Sequence, residues 1–282
     1  MANYTAADIK ALREQTGAGM LDVKKALDES NGDIEAAKEA LRIKGLKGVT
    51  KREGRSASNG LVAAQTADGA GTLLEINCET DFVAKGDKFI ALADKVLAHA
   101  AEQGLDSADA LRASTLDGQT VQELLDSSNA EIGEKIEVRN LARLTAPEGG
   151  QVVAYLHKTS PDLPAQIGVL VATTGTDEQF GRDVAMHAAA FSPSVLTRDE
   201  IDAEVVENER RVAEATAKEE GKPEQALPKI IEGRVNAYFK DNVLLDQPFA
   251  KDPKKSVAKV AEEAGAEVTG FARFKVGSDL QG

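Results

Sequence analysis

The chain has 282 residues, 42% hydrophobic and 29% charged, so its length predicts more than one folding unit and its balance an ordinary soluble protein. A single cysteine, Cys78, excludes an intramolecular disulfide and a thiolate zinc cluster; Met1-Ala-Asn-Tyr-Thr5 has no secretory signature and no apolar run could span a membrane, so a reducing cytoplasm is expected. Of the net charge of −13, residues 1–55 carry 11 Lys/Arg against 9 Asp/Glu and the rest 23 against 38, which denies most of the chain the basic face that direct nucleic-acid binding needs and suits a protein partner found by electrostatic steering.

The first 45 residues read as three short helices. Thr5-Ala-Ala-Asp8 has a capping signature, and Ile9, Leu12 and Arg13 continue the helix. Thr16-Gly-Ala-Gly19 breaks it, two glycines permitting a left-handed turn. Met20, Val23, Ala26 and Leu27 stripe the second helix, which ends near Asn31-Gly32; Asp33 caps a third, striped by Ile34, Ala37, Ala40 and Leu41. Such a bundle has a thin core. Its glycine turn reads as tight packing or as a docking loop formed by Leu12, Arg13, Thr16, Gly17, Ala18, Gly19 and Met20. Beyond it the pattern dissolves into Gly, Ser and basic residues, and 46–58 is expected to be a flexible linker. The five basic residues from Lys44 to Asn59, without interleaved aromatics, make a weak RNA-binding arm.

From residue 59 the chain repeats itself. Leu61-Val-Ala-Ala-Gln-Thr66, a Gly-rich turn and the apolar run 73–76 predict a β-hairpin; Val152-Val-Ala-Tyr-Leu-His157, a Pro-containing loop and Gly168-Val-Leu-Val-Ala172 predict its twin. Each leads to a helix with a shared signature, Val96-Leu-Ala-His-Ala-Ala101 and Val184-Ala-Met-His-Ala-Ala189. Each closes on a strand, Glu137-Val-Arg-Asn-Leu-Ala-Arg-Leu144 and Glu267-Val-Thr-Gly-Phe-Ala-Arg-Phe274. The class is therefore α+β: an N-terminal three-helix domain, and a duplicated core of antiparallel sheet plus helix with halves at 59–146 and 147–282. Inserted in the second half at 197–240 are two charged helices around Gly221-Lys-Pro223, an expected antiparallel hairpin with a narrow seam of Ile201, Val205, Val212 and Ala215. The hairpin reads as solvated decoration or as an arm for a partner or for self-association.

The halves differ between strand and helix. Gly71 to Val96 is 25 positions, Gly168 to Val184 only 16, and the nine extra residues include Thr80-Asp-Phe-Val83. Thr80 and Asp81 suit a loop or helix start. Phe82 is a large ring at a predicted turn, in a chain with eight Phe, three Tyr and no Trp. It either staples its own helix or projects from a loop the duplicated fold does not need. The surplus moves weight toward projection, and Phe82 is expected to be at least partly exposed.

Catalytic patterns are thin. His99 and His187 are repeat-equivalent on Ala-rich helices and read as packing residues; His157 lies on a strand, and Cys78 ends one as an inert thiol. No nucleotide-binding glycine loop or zinc-protease motif occurs. No catalytic residue, metal ligand or cofactor is expected, and a thiol enzyme using Cys78 is the weakest reading.

Three segments, Thr16-Gly-Ala-Gly-Met-Leu-Asp-Val-Lys-Lys-Ala-Leu27, Asn31-Gly-Asp-Ile34 and Asn77-Cys-Glu-Thr-Asp-Phe-Val-Ala-Lys85, resemble the bacterial elongation factor Ts family, guanine-nucleotide exchange factors of elongation factor Tu. The likeness continues through Ala185-Met-His-Ala188, Glu204-Val-Val206, Gly221-Lys-Pro223, Glu232-Gly-Arg234, Gln247-Pro-Phe249 and the closing strand. The resemblance implies a ubiquitin-associated-like head that docks on the GTPase, a duplicated core and a helical dimerisation arm. It also implies that Thr80, Asp81, Phe82 and Val83 dislodge the partner's magnesium ion, and it marks Met186 and His187 as a second candidate contact. Longer members carry a further helical module beyond the point matching Gly277. A helical-head adaptor or chaperone-type module that binds without exchange is the alternative.

Overall fold

The computed structural model describes residues 3–16 and 18–278. The head comprises α1 (Ala6–Thr16), α2 (Met20–Glu29) and α3 (Ile34–Arg52). Asp8 accepts from the Thr5 amide at 2.6 Å, and Asp33 caps α3 through the Ala36 amide at 3.0 Å. Leu12, Val23, Ala26, Leu27, Ala37 and Leu41 form the core. Met20, Ile34 and Ala40, expected on the apolar stripes, are exposed; a three-helix head is too small to cover every apolar position.

The expected linker begins as helix, since α3 continues to Arg52. The glycines that looked like linker composition allow a close approach to another helix. A Cβ on Gly45 would lie 2.8 Å from the Ala130 Cβ, and Arg52 donates to the Asn129 carbonyl at 3.3 Å and to its side-chain oxygen at 3.0 Å. Helix packing on the core thus carries the helix through residues that isolated propensity would release.

The first half of the core runs β1 (Asn59–Ala67), β2 (Ala70–Cys78), α4 (Asp81–Ala84), α5 (Asp87–Gln103), α6 (Ala108–Ala113), β3 (Thr115–Leu116), β4 (Gln119–Thr120), α7 (Val121–Ile132) and β5 (Glu137–Thr145). The second runs β6 (Gln151–His157), β7 (Ile167–Thr173), α8 (Glu178–Phe191), α9 (Ala203–Glu219), α10 (Leu227–Asn242), β8 (Pro248–Phe249), β9 (Asp252–Ser256), α11 (Val257–Glu263) and β10 (Val268–Lys275). The antiparallel sheets have the same order, β1-β2-β5 and β6-β7-β10. Asp68 and Gly69, both at positive φ, make the tight β1–β2 turn. Even the irregularity repeats: β5 skips Arg139 and β10 skips Thr269 at matching places in the register.

The sheets pack on each other through Val62, Leu73, Val152, Leu170, Ala172 and Phe274. The packing is reciprocal. A Cβ on Gly71 would overlap Val152 and crowd Leu170, and one on Gly168 would overlap Val62 and crowd Leu73. Each half also has a core beneath its own long helix, around Phe89 and Val96 in one and Phe180 and Val184 in the other. Buried Glu75 accepts from Asn140 at 2.6 Å and from the Gly277 amide at 3.1 Å, tying the turn after β10 to β2; its burial pushes the carboxyl pKa up.

The inserted helices α9 and α10 form the expected hairpin, but with a different inward face. Ala213 and Ala217 are buried with Leu227 and Val235, while Val205, Val212 and Ala215 point outward and Ile201 is half-buried. Small alanines let the helices approach, and the bulkier seam is left outside. No helix among the described residues is long and apolar enough to cross a membrane.

Candidate functional site

The end of β2 sets up the site. Cys78 is the last, buried residue of the strand, and its thiol donates to the Thr80 carbonyl at 3.2 Å. Burial, then the charge of Glu134, pushes this thiol up to about 12, so it is protonated and inert at neutral pH. Thr80 is extended, with φ −124 and ψ 154, and its hydroxyl accepts from the Val83 amide at 3.3 Å, capping α4.

Four residues make one helical turn with two faces. Ala84 is buried and Val83 packs on the core of the first half, so they anchor the turn. Asp81 and Phe82 point away, and Phe82 is 76% exposed. At that exposure the ring is not a staple on its own helix, and the Lys85 ammonium lies 6.0 Å from the ring centre. Desolvating a Phe ring is worth about 1.5–3 kcal/mol, so an exposed ring on an anchored turn is a candidate contact.

The surplus over the second half is shared. From Cys78 to Asp87 is 9 positions and from Thr173 to Glu178 is 5, leaving four for α4; the rest of the nine lengthens β2 and the start of α5. A bare loop joins strand to helix where α4 would stand in the second half.

The other candidates divide. In the head, Arg13, Gly19 and Met20 are exposed and Thr16 and Ala18 half-buried, whereas Gly17 lies outside the described residues. Gly19 has φ −63, not the left-handed turn expected of it. Leu12, at 1% exposed, belongs to the core and presents no side chain to a partner. Leu21, which the stripe did not single out, is 83% exposed beside Met20 at 58%. On α8, Met186 is exposed but His187 is buried. The His187 Nδ1 accepts from the Ala250 amide at 3.1 Å, so Nε2 carries the proton towards the Gln247 side-chain oxygen at 2.8 Å. Burial lowers its pKa, opposed by the Gln247 bond. His187 is thus buried, as its repeat position predicted, and Met186 is the exposed member of this candidate pair.

Sequence reasoning missed Glu134. Its carboxylate accepts from the amides of Glu79 at 3.1 Å and Thr80 at 3.0 Å, and from the Thr80 hydroxyl at 2.6 Å. It lies 54 residues from Thr80, just after Gly133, the left-handed C-cap of α7. No local pattern connects the two.

The family profile described as Elongation factor TS matches residues 79–278. Elongation factor Ts of Micrococcus luteus is 61% identical over 281 residues, covering 99% of this chain and all of that protein. Its counterpart in Arthrobacter sp. is 62% identical over 281 residues with the same coverage, and that of Kineococcus radiotolerans 61% over 278 residues, again 99% and 100%.

Proposed function

The chain belongs to the elongation factor Ts family, and we propose that it is the guanine-nucleotide exchange factor of elongation factor Tu, with Phe82 as the wedge that unseats the partner's magnesium ion. The exposure of Phe82 on a helical turn anchored by Val83 and Ala84 carries this reading. Mg²⁺ requires near-ideal octahedral geometry and is held by phosphate oxygens, waters and few protein groups, so a small shift of those groups weakens it. A ring driven between the partner's elements supplies such a shift, and Asp81 beside it adds negative charge near the phosphates. GDP affinity then falls, and linkage requires that GDP weaken the binding of this chain equally. No covalent chemistry falls to this chain, and the setting is the cytoplasm.

Labour follows chain order. The head of residues 1–45, extended by the rest of α3, seats on the GTPase through Arg13, Thr16, Gly19 and Met20, joined by Leu21. The first half presents Thr80 to Val83, and the second offers Met186 as a further contact. The outward Val205 and Val212 of α9 give the hairpin a seam for a second copy, which light scattering of the chain alone and with elongation factor Tu reads directly.

The exposed Met20 and Leu21 also suit an adaptor that binds without exchange. Release of labelled GDP from elongation factor Tu decides between the two. The exchange reading requires substoichiometric chain to drive multiple rounds of release; binding with unaccelerated release supports the adaptor.

A further inference from the structure

We infer that Glu134 is a positioning residue for the exchange step, holding the Thr80 to Val83 turn so that Phe82 is presented in one orientation; this rests on the exchange reading above.

Residues 79–80 and 134–135 are tied reciprocally. Glu134 takes the amides of Glu79 and Thr80 and the Thr80 hydroxyl, while the Glu79 carboxylate accepts from the Lys135 amide at 2.7 Å and from Arg55 at 3.3 Å. Asn59 closes the arrangement by donating to the Glu79 carbonyl at 2.8 Å. Bonds to a carboxylate are stronger than neutral ones, and three converge from Glu134 on the two residues before the helical turn. A four-residue helix is too short to hold itself, so its direction depends on what fixes its first residue. Thr80 caps that first residue, and both its amide and its hydroxyl end on Glu134.

Glu134 is itself fixed by α7. Gly133 ends that helix, its amide bonded to the Asn129 carbonyl at 2.9 Å, and Asn129 is also gripped by Arg52 of α3. Lys88, at the start of α5, pairs with Glu131. A cavity of about 720 Å³ is bounded by Thr16, Ala18 and Gly19 of the head and by Ala130, Ile132 and Gly133 of α7. The end of α7 therefore packs on the head through α3, faces its candidate docking turn across this cavity and, through Glu134, holds the segment that carries Phe82. This gives a physical route by which seating of the head keeps the ring in register with its target.

The test is labelled-GDP release from elongation factor Tu across a range of concentrations of the full chain, for wild type, Glu134→Ala, Glu134→Gln, Phe82→Ala and the Glu134→Ala/Phe82→Ala double variant. Misplacing a positioned group by about 1 Å can cost on the order of a hundred-fold in rate. Loosening this turn is expected to cost about ten-fold in maximal release rate while the half-saturating concentration changes less than about two-fold. The double variant is expected to match Phe82→Ala alone, because the clamp acts through the ring. Glu134→Gln, isosteric with one acceptor oxygen, is expected to fall between Ala and wild type, and is the variant read if Glu134→Ala melts early. A wild-type maximal rate in Glu134→Ala or Glu134→Gln, alongside a slow Phe82→Ala, overturns the clamp and leaves the exchange reading standing. Additive losses in the double variant overturn it too. An unimpaired Phe82→Ala removes the reading on which it rests.

Discussion

Arg143 and Arg273 occupy equivalent places on the strands that close the two halves, and each donates to the equivalent carbonyl in the last turn of its half's long helix, Ala101 at 3.4 Å and Ala189 at 3.1 Å. A cation there meets the negative end of the helix dipole and bonds a carbonyl of the last turn, although Ala101 also accepts from the Gly104 amide at 3.3 Å. The pair fastens helix to sheet at the same point in both halves. Arg273 makes the shorter bond, whereas Arg143 shares its guanidinium with Thr72 at 3.4 Å. Arg273→Ala should therefore lower unfolding free energy by about 1–3 kcal/mol, and Arg143→Ala by less. Urea denaturation measures both; equal and negligible losses would count against this fastening.

Acid should loosen the second half through His187. Its folded pKa lies below the ordinary 6.5 because of burial, so the unfolded chain takes up the proton first. The stability contributed by neutral His187 is therefore complete above about pH 6.5 and is lost as pH falls from there towards the lowered value. A proton on Nδ1 would oppose the Ala250 amide and release the β8–β9 segment. In melts at about pH 7.5 and 5.5, wild type should lose more stability than His187→Gln. A parallel decline of both proteins would contradict this.

Gly168 has no room for a methyl group, because the obstructing atom is a γ-carbon of Val62, whose β-branched side chain is stiff. Gly168→Ala is expected to cost about 1–3 kcal/mol by overpacking. Adding Val62→Ala from the other half should recover part of it, a coupling that a double-mutant cycle reads out. Strict additivity would mean that the halves do not interlock here.

Cys78 should resist alkylation at about pH 8 in the folded protein and react only in denaturant, because burial leaves almost no thiolate at that pH. Native labelling at the denatured rate would place the thiol outside the core.

The duplication was legible because its markers are periodic and local: two Val-x-x-His helices and two closing strands with matching Ala-Arg pairs. The exposure of Phe82 was legible because a repeat supplies an internal control, and the first half has residues its twin lacks. The end of α3 was not, since Gly45 and Gly48 have the composition of a linker and only the proximity of Ala130 to Gly45 turns that residue's smallness into packing. The hairpin's inner face was misread for a related reason: valines outrank alanines in an apolar pattern, yet close helix contact selected Ala213 and Ala217. Leu12 lay at a candidate docking turn, but its burial in the head is a matter of rotation about α1 that neighbouring residues do not reveal. Glu134 had no signal, because a bond across 54 residues leaves no trace in spacing.

The central claim is tested most directly by stopped-flow release of labelled GDP from elongation factor Tu in saturating Mg²⁺, comparing wild type with Phe82→Ala at matched, saturating concentrations. The exposed ring contributes little to folding, so the variant should melt with wild type while its release rate falls about 5- to 150-fold, the range of a typical coupling energy between two ligands. Lowering free Mg²⁺ should narrow the gap, because the ion is then already absent. A folded Phe82→Ala protein that binds elongation factor Tu and releases GDP at the wild-type rate would contradict the account.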